Sequence, residues 1–221
     1  MHGGARCCRV TAAFLSVSCE AIVPIRKSEP MDQQLELLSR DATRHNVFFA
    51  VLLDATMRTR AGETARDVRR RLRLSATPIP PERLHVTLLS VGGFDGSCPP
   101  AVIDAAMRAA GTVSMAPFKV EFDRVASFSG SHGQRAVVLT GDGDGVAGFM
   151  RIRDSLEHAL MKAGLRLPQQ SSSSPHLTMM YDETRTCDFA IEPVGWTVSR
   201  FVLIDSLVGQ SRHVHLGQWS L

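Results

Sequence analysis

The chain has 221 residues, 44% of them hydrophobic and 21% charged, and a formal net charge of +3. That balance fits one globular domain with a proper core, and the mild charge argues against a broadly basic nucleic-acid binder, so any such contact must come from a local cluster. Five cysteines, an odd count with no C-x-x-C pair, argue against a disulfide framework or a zinc site and point to a cytoplasmic setting.

Residues 1–45 fit the rest poorly and hold Cys7, Cys8 and Cys19. Val10 to Val23 faintly imitates a signal peptide, but Glu20 interrupts it, no small-x-small cleavage site follows, and it is too short and polar to span a membrane. Met31 offers a plausible later start, so 1–45 reads as a disordered extension or a mis-annotated start, with targeting as the alternative. The domain proper is 46–221.

Asn46 to Leu53 is β-branched and aromatic and reads as a central strand, after which Asp54 caps a helix predicted to run to about Leu74. Arg66, Arg69, Arg70, Arg71 and Arg73 lie in that helix. They read either as a phosphate-steering patch or, preferably, as a solvated face whose cations suit a helix C-terminus. Pro78, Pro80 and Pro81 end the helix and deliver the chain to Leu84-His85-Val86-Thr87-Leu88-Leu89, an apolar run closed by Gly92-Gly93. Its length and lack of helical period predict a buried strand.

Pro100 to Ala110 is predicted as a second helix, and Phe118 to Phe128 alternates apolar and polar as a half-buried strand does. A turn at Ser129 to Gly133, carrying a solvent histidine at His132, leads to a return strand over Arg135 to Thr140. Gly141-Asp142-Gly143-Asp144-Gly145 fails as a calcium loop because the twelfth position from Asp142 is Arg153. It fails as a phosphate loop because it lacks the Gly-Lys-Ser/Thr ending. It instead starts a helix at Asp144 or Gly145 that stops at Gly164, with His158 on its surface. Polar Gln169 to Ser174 leads into Pro175-His176-Leu177-Thr178-Met179-Met180. Trp196 to Ser206 and His213 to Leu216 read as the last strands, with His213 and His215 sharing a face at a sheet edge.

Two of these runs repeat one another. In a strand, residues two apart point the same way, so His85 projects with Thr87 and His176 with Thr178. One His-x-Thr alone reads as a core histidine with a local partner. Two copies, each in a run where an unpartnered polar side chain would cost a few kcal/mol, instead suggest a pair of imidazoles and a pair of hydroxyls in one cleft.

Those paired motifs resemble the 2H phosphoesterases, and the blocks from Asn46 to Leu221 are similar to the 2'-5' RNA ligase branch, usually described as RNA 2',3'-cyclic phosphodiesterases. The resemblance implies two pseudo-symmetric lobes, each an antiparallel sheet backed by helices, around a central cleft; the element order alone gives only α+β. Hydrolysis of a 2',3'-cyclic phosphate needs a base for water and an acid for the departing oxygen, and histidine, with a pKa of about 6.5, suits both. The resemblance casts His85 as proton donor and His176 as proton acceptor, leaving a 2'-phosphate. Thr87 and Thr178 would donate to the non-bridging oxygens. Reversal would join a 5'-hydroxyl as a 2'-5' linkage without ATP. No metal and no cofactor is called for, and the expected partners are RNA 2',3'-cyclic phosphate ends or cyclic nucleotides, met by a monomer away from membranes.

Two positions depart from that branch. Ser90 stands where Phe is frequent and Tyr181 where Arg is frequent, which removes a stacking surface and a phosphate contact. Tyr181 can restore stacking only if a bulge or twist brings it round to the face of His176. A binding module without catalysis and a phosphodiesterase acting on a small nucleotide remain the alternatives.

Overall fold

The computed structural model describes residues 43–129, 133–169, 174–186 and 188–221. Residues 1–42 of the amino-terminal extension, the turn residues 130–132 with His132, and most of the polar lead to the second motif lie outside the described residues.

The chain first forms β1 (Arg44–Leu52), whose alternate residues Val47, Phe49 and Val51 bury in the main core while Phe48, Ala50 and Leu52 turn to the opposite face. Asp54 caps α1 (Ala55–Leu72), accepting the Met57 N–H at 2.8 Å, as its position predicts. The helix ends two residues earlier than expected because Arg73 takes a left-handed backbone (φ 51) and its N–H caps the last carbonyls. The arginines of its outer face are exposed, Arg70 paired with Asp67 and Arg71 lying 4.3 Å over the Phe189 ring. A single 3-10 turn (Pro81–Arg83) then precedes β2 (His85–Asp95).

The remaining elements are α2 (Pro100–Ala110), β3 (Phe118–Ser129), β4 (Arg135–Thr140), α3 (Asp144–Lys162), β5 (Leu177–Asp182), β6 (Phe189–Val198), β7 (Arg200–Leu207) and β8 (Arg212–Ser220). All strands join one antiparallel sheet in the order β6-β3-β4-β5-β2-β1-β7-β8. The fold is α+β, an antiparallel sheet backed by three helices. At the centre of the sheet β2 and β5 meet through one registered pair, Val86 with Leu177. The unit β1-α1-β2 on one side of that seam is matched by β4-α3-β5 on the other, so the two motif strands occupy equivalent inner positions. The helices cross over: α1 lies against β5 and β6, α3 against β2 and β3, and α2 against α3. α1 and α3 therefore brace the two seam strands, each from the opposite half, and α2 backs α3.

The sequence predicts one strand over Trp196 to Ser206, whereas the structure has two, β6 and β7, broken at Ser199 where the chain passes from one end of the sheet to the other half. β6 begins seven residues before the predicted strand because Pro193 and Gly195 disguise it. As the outermost strand it tolerates a proline that a central strand would not. β8, the other edge, runs on past Leu216 to Ser220.

The run from Gly141 to Gly145 has a packing reason. A Cβ on Gly141 would press into the Glu121 carbonyl, and one on Gly145 into the Lys119 carbonyl and to 2.6 Å of Val120 Cα, while Gly143 needs φ +84. The glycines let the start of α3 lie directly on the β3 backbone. Gly145→Ala is expected to lower the unfolding free energy by about 1–3 kcal/mol through this overpacking. Urea denaturation checks it, and a parental midpoint would mean that the backbone contact carries no constraint.

Candidate active site

The two motif histidines are held in the same way. His85 Nδ1 lies 2.8 Å from the Arg83 carbonyl, and His176 Nδ1 lies 2.8 Å from the Ser174 carbonyl, each two residues upstream. A carbonyl can only accept, so Nδ1–H is the donor in both rings and Nε2 of each neutral imidazole is left with its lone pair. Ring packing completes the hold. Phe48 stacks on His85 at 5.1 Å, and Phe128 meets His176 edge-on at 5.0 Å. An aromatic from β1, next to β2, and one from β3, two strands from β5, leave each imidazole little freedom.

The threonines share the histidines' face by alternation, and strand bulges just after them bring the fifth positions round to the same face. On β5, Met180 pairs with Val137 but Thr178 with Val138, so Met179 is the extra residue. Its carbonyl accepts the Ile79 N–H at 2.7 Å, which fixes the bulge from the connector after α1. One extra residue lets Tyr181, paired with Ala136, share the face of Thr178, paired with Val138. Ala136 and Val138 belong to one small apolar cluster with Ala126, against which Phe128 packs. Tyr181 is 51% exposed there. β2 carries the counterpart: Ala50 pairs with Thr87, Phe49 with Leu89 and Phe48 with Ser90, leaving Leu88 as the extra residue and turning Ser90 to the face of Thr87. Both fifth positions after the histidines thus lie on the motif face, which strict alternation would forbid.

Burial sets the electrostatics. Desolvation pushes the His85 pKa down; the hydrogen bond to the Arg83 carbonyl opposes it, and the Arg83 guanidinium and His176 add to it. Desolvation also lowers His176, against its own carbonyl hydrogen bond. A third imidazole, His213 on β8, sits edge-on to His85 at 5.4 Å and is pushed down to about 4, chiefly by burial and then by the charges of His85, Arg83 and His215. At neutral pH His213 is an uncharged ring. β8 is three strands from β2 in sheet order, so this half of the sheet must curl to bring the two imidazoles together. That contact is invisible in a local pattern, and the sequence marks His213 only as an edge residue.

A cleft of about 200 Å³ opens at the seam, lined by Thr87, Leu88, Phe149, Arg153, Ser174 and His176 among others, and contains no carboxylate. Sequence reasoning passes over Arg153, Phe48 and Phe128. The two aromatics could have been found as alternating positions on predicted strands. Among the described residues no group of three or more His, Cys, Asp or Glu is placed to hold a metal ion, and no helix is long and apolar enough to cross a membrane.

The geometry gathers both histidines, both threonines, Tyr181 and Ser90 on one face, and places His213 there too. His158 stands apart on α3, away from the seam cleft. The model of the 2'-5' RNA ligase superfamily matches residues 59–210, a span that contains both motifs. Among solved structures, LigT of E. coli in apo form is 21% identical, with a TM-score of 0.61 over 81% of this chain and 98% of that chain. TT0787 of Thermus thermophilus is 24% identical, with a TM-score of 0.60 over 80% and 97%. LigT complexed with 3'-AMP gives 20% and 0.58 over 81% and 98%. At these identities the likeness carries the fold alone. No curated protein matches the chain.

Proposed function

The chain belongs to the 2'-5' RNA ligase superfamily, and from that premise we propose that it is a metal-independent RNA 2',3'-cyclic phosphodiesterase working by paired-histidine acid–base catalysis. The observation that carries the reading is the matched tether: two imidazoles at one seam, each with Nδ1 committed to a carbonyl and Nε2 left for chemistry. His176 takes a proton from water as its oxygen attacks phosphorus. The bond from phosphorus to the 3' oxygen breaks, and His85 protonates that oxygen, so the phosphate stays on the 2' oxygen. Thr87 and Thr178 donate to the non-bridging oxygens as their charge grows. Reversal gives ATP-independent 2'-5' joining. The enzyme would act as a cytoplasmic monomer on RNA ends or cyclic nucleotides.

The two tethers are alike, so the division of roles rests on their surroundings and on the substrate. Burial first, and then the nearby Arg83 cation, disfavour a protonated His85. The phosphate anion must therefore raise the pKa of His85 on binding for it to serve as the acid. Product analysis across cyclic nucleotides and cyclic-phosphate oligonucleotides tests the whole scheme. A 2'-phosphate is expected, a 3'-phosphate would exchange the roles, and tight binding without turnover would make the protein a binding module.

Tyr181, now on the motif face, supplies the stacking that Ser90 cannot. Tyr181→Ala is expected to raise KM about 5–150-fold, the equivalent of roughly 1–3 kcal/mol of base stacking, with kcat nearly unchanged. Tyr181→Phe should behave as the parent. Equal damage from Phe would shift the role to the hydroxyl, and unchanged KM in both variants would remove Tyr181 from recognition.

A further inference from the structure

We propose that Arg153 makes the seam cleft a subsite for a second phosphate of the substrate, one nucleotide linkage away from the cyclic phosphate. The inference rests on the phosphodiesterase reading and adds the substrate class: a nucleotide carrying phosphate at its 5' position is preferred to a bare nucleoside cyclic phosphate.

Three observations converge. Arg153 lies on α3, the helix that braces β2 from across the seam, and is half-buried rather than solvated. It lines the same cleft as Thr87 and His176, so a ligand whose reacting group lies between those two extends toward the guanidinium. No ion pair engages Arg153 among the described residues, and no Asp or Glu lines the cleft. A half-buried guanidinium without a counter-ion, in a concave site, holds an anion more strongly than the same group on an open surface. Its planar fork of donors matches two phosphate oxygens. The cleft wall also includes Leu88 and Phe149, which suits a sugar between two phosphates rather than a second charge.

The net charge of only +3 fits a site that recognises one extra phosphate by contact rather than by a broad basic field.

The test compares the affinity of the purified protein for adenosine 2'-monophosphate and adenosine 2',5'-bisphosphate by calorimetry. A dinucleotide ending in a 2'-phosphate shows whether the second phosphate is read as a terminal group or as a bridging diester. The parent is expected to bind the bisphosphate about tenfold or more tightly, and R153Q to bring that ratio close to one, with R153K restoring part of it. R66Q, on the exposed outer face of α1, controls for the general field and should keep the parental ratio. A ratio near one in the parent, or an equal fall in R66Q and R153Q, would overturn the subsite. Because the readout is a ratio within one protein, a variant of altered stability still reports on it. Turnover of adenosine 2',3'-cyclic phosphate is measured alongside. Hydrolysis with no affinity increment sinks the subsite and leaves the activity, whereas an increment with no hydrolysis of any cyclic substrate sinks the activity and leaves an anion site.

Discussion

Alanine at His85 or at His176 is expected to lower kcat/KM for a 2',3'-cyclic nucleotide about 10²–10⁴-fold, the usual contribution of one positioned acid or base. The double variant should fall little further than the worse single one, because an acid without its base no longer performs a concerted displacement. Asparagine separates chemistry from architecture. Its amide nitrogen can replace Nδ1 as donor to the Arg83 or Ser174 carbonyl, but it offers nothing in place of Nε2. His85→Asn and His176→Asn should therefore fold like the parent and be as inactive as the alanine variants. Undiminished turnover in any of the four would sink paired-histidine catalysis. The pH dependence follows from burial. Desolvation lowers both histidines, so in the free enzyme the acid and base limbs both move to lower pH. The kcat/KM bell should lie on the acid side of about 6.5, the unperturbed histidine value. Bound phosphate favours the protonated rings, so the kcat profile should move to higher pH. A kcat/KM optimum on the alkaline side would show that burial does not govern the pair, and the two limbs report macroscopic values of the pair rather than of either residue.

What could be read in advance was whatever is written in local pattern. Asp54 as a cap, the bounds of α2, the alternation of β3 and the stop at Gly164 depend on a few adjacent residues, and the structure has each. The His-x-Thr pairs were legible for the same reason, since two residues two apart in a strand need no tertiary knowledge to share a face. β6 was partly lost because Pro193 speaks against a strand unless that strand is known to be an edge, and edge position belongs to the whole sheet. Tyr181 is the instructive intermediate. The pattern showed that only a bulge could bring it round, and the bulge exists because Ile79, far upstream in chain order, takes the Met179 carbonyl. His213 and Arg153 lie further still from local signal. One reaches the site by curvature across three strands, the other by a helix crossing beneath the seam.

The connector that carries Ile79 is also where the largest stability effect is expected. Asp182, the last residue of β5, is buried and accepts the N–H groups of Ser75 and Ala76 at 3.0 and 2.9 Å, the Ser75 hydroxyl at 3.2 Å and the Thr184 N–H at 2.8 Å. Asp182 and Met179 thus hold the same connector at both of its ends. Asp182→Ala is expected to lower the unfolding free energy by roughly 2–4 kcal/mol, since it strands several backbone donors at once. Asparagine at this position cannot rescue it fully. Its NH₂ must replace either the oxygen that takes three donors or the one that takes Thr184, so Asp182→Asn should fall between alanine and parent. The carboxylate is held below its ordinary value of 3.8, at about 2, by the Thr184 and Ala76 N–H groups first. A depressed folded pKa means that the ionised group stabilises the folded state at every pH above the unfolded value. That contribution fades as pH falls from about 4 through about 2. The gap between parent and Asp182→Ala in urea midpoint should therefore be constant from pH 7 to pH 5 and shrink below pH 4. A parental midpoint at pH 7, or a deficit undiminished at pH 2, would show that the carboxylate does not tie the connector to β5. Because the connector also fixes the Met179 bulge, a loosened Asp182→Ala should misplace Thr178 and Tyr181 together. It should then raise KM for the cyclic nucleotide and leave the Nδ1 tether of His176, which draws only on Ser174, in place.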